Sequence, residues 1–461
     1  MYLVVLPRDR CSVNAKGLIF VFHHKSQRKI LRLLGIAALA LALVAVMTSE
    51  APARRSPFEP LAVFARALSY IELAYVEPVD QDEVVEGAIR GLANSLDPHS
   101  AFLDPREYDI LKSDAEGRFA GIGVEVSVRD GWLTILSVFE GGPAAKAGLL
   151  PGDRFLSIDG EEARDIRIHD AVQRIRGEPG TNVTVTIRRE AQEEALERTL
   201  TRAFIDIDPV EMEPLDEGLV YLRVKAFQDG TARALSHALD EAVEKLVARG
   251  GVEGLLIDLR DNGGGLLQEA VWVSDEFLSS GVIVSTRGRD GKVISEYAAR
   301  RAGTRPSWPI VVLINENTAS ASEIVAGALQ DHERAVLVGV RSFGKGSVQN
   351  VFELPGGSAL KLTTSRYYTP SGRSIQAQGI TPDLLAEQPR RDLDPEEPLR
   401  EEALEGHLAA QSDRATAEGR SIRAAPSPVS PSPEIFEDDL QAQRAYAVLK
   451  GQLGRRGQRR Q

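Results

Sequence analysis

"VLINENTASASEIVAGALQD", residues 312–331, reads as a strand, a polar turn and a helix in direct succession. Ile310 to Ile314 is an unbroken apolar run of strand length. Asn315, Asn317 and Thr318 then break it, and Ser322 to Leu329 reads as a helix. A strand that is apolar at every position needs cover on both faces, as in a parallel sheet flanked by helices. The same order recurs at "LLIDLRDNGGGLL", 255–267, and a third loop, "VGVRSFGKGSVQNVFEL", spans 338–354. Further strands are expected at 219–224, 255–259, 336–338, 348–354 and 359–362, and further helices at 232–249 and 266–278. Strands and helices alternate, which predicts an α/β core over residues 205–385.

The chain has 461 residues, 43% hydrophobic and 26% charged, so it can fill two or three domains. Its net charge of -12 argues against a nucleic-acid partner. The single cysteine, Cys11, excludes an internal disulfide or a paired-cysteine metal site. Chemistry must therefore come from Ser, Lys, Asp, Glu or His.

Arg28, Lys29 and Arg32 precede an apolar run from Leu33 to Met47, followed by Ala51-Pro52-Ala53. Basic residues, an apolar run and small residues in that order read as a secretory signal. The run falls short of the roughly 20 residues that span a bilayer, so cleavage is preferred to an inner-membrane anchor. Residues 1–53 are thus expected to act as signal or anchor, with the rest of the chain exported to the periplasm. Residues 54–116 read as helical, with apolar residues at helical spacing over 58–75 and 84–96 and Asp80 or Asp82 as an N-cap.

Residues 117–204 change character. "GIGV" (121–124), "GGPAAKAGLLPGDRFLSIDGE" (141–161) and "HDAVQRIRGEPGTNVTVTIRR" (169–189) resemble a PDZ domain of the bacterial type. The resemblance implies mostly β structure with two helices. It also implies that backbone N–H groups of Gly121, Ile122, Gly123 and Val124 receive a peptide's terminal carboxylate. The glycines let the main chain approach closely, and the peptide would add as a strand beside the helix. Residues 386–461 are acidic, then proline- and serine-rich, then basic, and are expected to be a solvated tail, with Glu434 to Lys450 a possible last helix.

Ser320 and Ser322 lie where strand gives way to helix. Ser322 is the better N-cap by sequence, because Glu323 and a helical run follow it. Ser320, at the turn, would face the positive end of the helix dipole, with the Ala321 N–H beside it for a developing oxyanion. Its base is less legible. Asp331 and His332 lie three helical turns away, about 16 Å, too far to touch the hydroxyl. His237 sits on the polar side of a helix. Lys345 stands between Gly344 and Gly346 and by composition alone reads as an ordinary exposed turn lysine. It would act as a base only if neighbouring groups closed over it.

These segments, with "YVEPVD" (75–80), "SLDPHSAFLDP" (95–105) and "RYYTPSGRSIQAQGITPD" (366–383), resemble the C-terminal processing peptidases, or tail-specific proteases. The resemblance spans roughly residues 57 to 385. It implies a serine endopeptidase with Ser320 as nucleophile, Lys345 as base and Gln349 orienting that lysine. Asp331 would be a supporting acid. The oxyanion donors would be the N–H groups of Ala321 and Gly264. It implies no metal or cofactor. Expected partners are polypeptides with accessible C-termini, an adaptor protein and a further copy of the chain. The competing readings are a non-catalytic PDZ scaffold and a Ser-His-Asp hydrolase.

Overall fold

Apolar runs covered on both faces form the centre of a seven-stranded sheet. In spatial order its strands are Val210–Pro214, Leu219–Val224, Gly254–Asp258, Ile310–Ile314, Val336–Gly339, Leu384–Leu385 and Arg423–Ala424. Val210–Pro214 is antiparallel to its neighbour and the others run parallel. This computed structural model describes residues 59–388, 400–410, 422–428 and 432–460, except 130, 140, 167, 190–193 and 207. The expected leader lies outside the described residues. Among the described residues no helix is long and apolar enough to cross a membrane.

Strand alternation splits the core in two. Leu255, Ile257, Val312 and Ile314 pack with the helices Thr231–Leu246, Leu267–Asp275 and Ala321–Asp331. Leu256, Val311 and Leu313 face the other way, onto Ala442, Ala445, Tyr446 and Leu449 of the helix Leu440–Arg460. The end of the chain is therefore not a solvated tail. One stripe of the last helix covers the central strands on that face of the sheet, and burying a leucine such as Leu449 contributes about 1.5–3 kcal/mol. Arg260 fastens that layer, reaching Asp258 and Asp439 at 2.6 Å each. The acidic and proline-rich stretches between 386 and 433 masked this stripe in the composition.

A second, antiparallel sheet joins Ala101–Leu103, Ser347–Glu353, Ala359–Tyr368, Val282–Arg287 and Val293–Ala298. Its hairpin from Ser347 to Tyr368 begins two residues after Lys345.

The PDZ-like unit has its own core, including Ile122, Leu133, Ile135, Phe155, Val183 and Ile187. Its strands are Val124–Arg129, Trp132–Val138, Arg154–Ile158, Glu161–Glu162, Asn182–Arg188 and Leu196–Thr201, with helices Pro143–Lys146 and Ile168–Ile175. The chain enters and leaves it through one antiparallel ribbon, Arg118–Gly121 against Ala203–Asp206. The N-terminal helices are Glu59–Ala74 and Gln81–Asn94, the second with Asp82 N–H on Asp80 Oδ1 at 2.9 Å. Of the two candidate caps, Asp80 fills the role.

Candidate active site

Two loops that follow neighbouring parallel strands are stitched together at the carboxyl end of the sheet, where α/β folds place their sites. Thr318 Oγ1 donates to the Leu259 carbonyl at 2.8 Å, and the Ala319 N–H donates to the Asn262 carbonyl at 3.0 Å. Asn315 and Asn317 both donate to Asp261 Oδ1. These bonds hold Ser320 at φ 56° and ψ -115°, a region that side chains rarely occupy. Such backbone strain costs about 1–3 kcal/mol and persists only where surroundings enforce it.

The structure makes Ser320, not Ser322, the N-cap residue, and the helix starts at Ala321. Ser322 turns its hydroxyl to the Asn262 carbonyl instead, at 2.9 Å. Its side chain is thereby committed to the neighbouring loop. The Ala321 N–H is one of the orphan donors of a helix start, and among the described residues it has no hydrogen-bond partner.

Gly264 abuts the turn. It has φ +99°, and a Cβ there would lie 2.8 Å from Ser320 Cβ, Ala319 O and Ala321 N. Its own N–H, however, donates to Asn262 Oδ1 at 2.9 Å. The expected second oxyanion donor is thus engaged locally, and in this structure Gly264 contributes close approach.

Glu323 was missed by the sequence reading and organises the centre. It is fully buried, and its carboxylate accepts four bonds. Oε2 takes the N–H groups of Ser320 at 2.8 Å and Lys345 at 2.9 Å. Oε1 takes the Ser342 hydroxyl at 2.5 Å and the Gly344 N–H at 2.8 Å. Burial pushes the Glu323 carboxyl up to about 7, and the four donors oppose that rise. The motif Ser-x-x-Glu at 320–323 is a capping-box signal that could have revealed it.

Lys345 is not an exposed turn lysine. Burial holds its ammonium below the usual lysine value, and nearby Lys361 pushes the same way. Glu401, Glu323 and Asp97 oppose them. The flanking glycines permit the closure: a Cβ on Gly346 would meet Gln376 N at 2.3 Å, and one on Gly344 would meet Gly379 N at 3.1 Å. Among the described residues the Lys345 ammonium makes no hydrogen bond or ion pair, so it is unengaged.

Gln349 does not reach Lys345 with its amide donor in this structure. Its Nε2 donates to Ser347 Oγ at 3.0 Å and Thr363 Oγ1 at 3.2 Å. The strand begins at Ser347, after Lys345, and a register shift between Val348 and Gln349 resets the pairing. Thr363 continues the network to Asp97 Oδ1 at 3.0 Å, and Ser100 caps Asp97 Oδ2 at 2.8 Å.

Asp331 ends the helix that Ser320 starts. It pairs with Arg373 at 2.5 Å and accepts the Ser371 N–H at 3.0 Å. Burial works to raise its carboxyl, but Thr369, Arg373 and Ser371 together hold it below the ordinary range. This is a structural anchor for the 369–373 turn. His332 Nε2 lies 2.7 Å from the Val282 carbonyl, and His237 is exposed. Neither histidine is placed as a base for Ser320.

In the PDZ-like unit, Gly121, Ile122, Gly123 and Val124 line a cavity of about 190 Å³ with Val172 and Ile175 of the helix opposite. Phe119, Val126 and Phe139 make its walls apolar, and Arg176 adds a cation. Apolar walls with a few polar groups suit a peptide end.

Three family models match the chain: the activating protease CtpB N-terminal domain over residues 40–107, the PDZ domain over 134–189 and peptidase family S41 over 218–386. A carboxy-terminal-processing protease of Bartonella bacilliformis is 36% identical over 421 residues, 91% of this chain and 95% of that protein. A carboxyl-terminal-processing protease of Synechocystis is 37% identical over 319 residues, 68% and 73% of the two chains. Among solved structures, the photosystem II D1 C-terminal processing protease is 31% identical, with TM-score 0.48, covering 72% of this chain and 88% of that one.

Proposed function

The chain belongs to the C-terminal processing peptidases of peptidase family S41 and is a serine-type peptidase; from that premise we propose that it cuts exported polypeptides through a dyad of Ser320 and Lys345. The observation that carries the proposal is the shared carboxylate of Glu323, which ties the Ser320 and Lys345 backbones together beside a half-buried lysine.

Neutral Lys345 takes the Ser320 proton, and the alkoxide attacks a peptide carbonyl. The Ala321 N–H stabilises the oxyanion. The proton passes from Lys345 to the leaving amine, which departs and leaves an acyl-enzyme. Lys345 then activates the hydrolytic water. The peptide's C-terminus docks in the groove at Gly121–Val124. The PDZ and CtpB-type N-terminal matches fit an enzyme that binds polypeptides and takes an activating partner. The residues at 28–53 support export to the periplasm, by cleavage or by inner-membrane anchoring. N-terminal sequencing of the exported protein distinguishes the two.

Casein cleavage by wild type, Ser320→Ala and Lys345→Ala tests the dyad, each with and without a C-terminal peptide. Only the wild type is expected to cut. Full activity in the lysine variant would sink the dyad. Tight peptide binding with no cleavage by any form would favour a PDZ scaffold.

A further inference from the structure

The turn that carries Lys345 is closed by a segment outside the matched protease core. Residues 400–404 lie beyond the family-matched 218–386 and pack on the 341–346 loop. Arg400 donates to the Arg341 and Ser342 carbonyls at 2.6 and 2.9 Å, and the Glu401 N–H donates to the Phe343 carbonyl. Glu401 itself has no solvent exposure. Its Oε1 accepts from Gln376 Nε2 at 2.7 Å, and Gln376 Oε1 accepts the Gly346 N–H at 3.1 Å. Its Oε2 lies 2.8 Å from His99 Nε2.

An acid buried this completely needs a reason to be there. His99 and Gln376 satisfy its oxygens, but an uncharged amide could meet the same geometry. Its charge is what distinguishes it. Lys361 shares a strand face with Thr363, and Thr363 bonds Gln349 and Asp97. A fully buried acid and a half-buried lysine are thus both charged neighbours of Lys345.

We propose that Glu401 and Lys361 are positioning residues for Lys345: Glu401 fixes the Lys345 turn through Gln376 and sets a negative charge against the positive charge of Lys361. The inference rests on the reading of Lys345 as general base. The charged groups acting on Lys345 are Lys361, Glu401, Glu323 and Asp97. Those acting on Glu401 include His99 and Lys345, and those acting on Lys361 are Asp97 and Glu107. Lys361 drives Lys345 toward the neutral form, and Glu401 is the strongest of the acids that hold its proton. The two charges therefore move the working range of the base in opposite directions.

The test is the pH dependence of kcat/KM for casein cleavage by the full chain. Glu401→Gln keeps an acceptor for Gln376 and removes the charge, so the rising limb moves to lower pH by about one unit. Lys361→Met moves it to higher pH by a similar amount. Limbs that stay at the wild-type position, or that move in the same direction, overturn the proposal. If Glu401→Gln fails to fold, Lys361→Met alone decides, and an unshifted limb overturns it. Lys345→Ala separates this failure from failure of the base assignment: activity in that variant removes Lys345 as base, whereas an inactive variant with unshifted limbs removes only Glu401 and Lys361.

Discussion

Ser320 and Lys345 donate their backbone N–H groups to a single atom, Glu323 Oε2, at 2.8 and 2.9 Å. The two loops thus meet through the main chain at one buried carboxylate. If the two act as the proposed dyad, their main chains are already held in place before the reaction begins.

Glu323→Gln is expected to lower kcat about 100-fold or more, since small misplacements cost that much. KM should change little. One of its two oxygens becomes an amide donor facing donors, so thermal stability should also fall. Steady-state kinetics with near-UV circular dichroism checks both, and an unaltered kcat in a folded variant would remove Glu323 from the centre.

Burial lowers the Lys345 value, and only the neutral amine accepts a proton. Activity should therefore rise with pH, with a midpoint below the ordinary lysine value of about 10.4. Lys345→Arg should be inactive at every accessible pH, because a guanidinium stays protonated. Measurable cleavage by the arginine variant contradicts the assignment.

Gly264→Ala adds a methyl where Ser320 Cβ, Ala319 O and Ala321 N would each lie 2.8 Å away, at φ +99°. It should cost about 1–3 kcal/mol in stability and a larger share of activity. Urea unfolding and casein cleavage measure the two separately.

Leu449→Ala removes a side chain buried between the last helix and the sheet. A loss of about 2–5 kcal/mol is expected, read from the denaturant midpoint. A value near zero would mean that the helix is not docked in solution.

A peptide with a free C-terminal carboxylate should bind the Gly121–Val124 groove more tightly than its amidated form. Calorimetry compares them, and equal affinities would exclude carboxylate capture by that loop.

Much of this architecture was legible. Ile310–Ile314 and Leu255 to Leu259 read as strands because both faces are covered, and the structure has them at Ile310–Ile314 and Gly254–Asp258. Local signals failed where a tertiary partner decided the outcome. Ser322 looked like the cap, but nothing in the sequence shows that neighbouring loops force Ser320 to positive φ. Gln349 looked aimed at Lys345 until a register shift gave it Ser347 and Thr363. Lys345 looked exposed because the groups that cover it, Gln376 and the 400–404 segment, come from later in the chain. Asn262 preceding a glycine run was a visible turn signal, and its capture of the Gly264 N–H follows from that turn.

The bond between His99 and Glu401 joins residues 302 positions apart. Synthesis proceeds from the N-terminus, so Ser320 and Lys345 emerge well before Glu401 and the final helix. Until those arrive, the lysine turn lacks its bonds to Arg400 and Glu401, and the central strands lack the last helix on one face. The lysine turn and the sheet are therefore completed only by the last-made part of the chain, whose contacts reach back to residues made earlier.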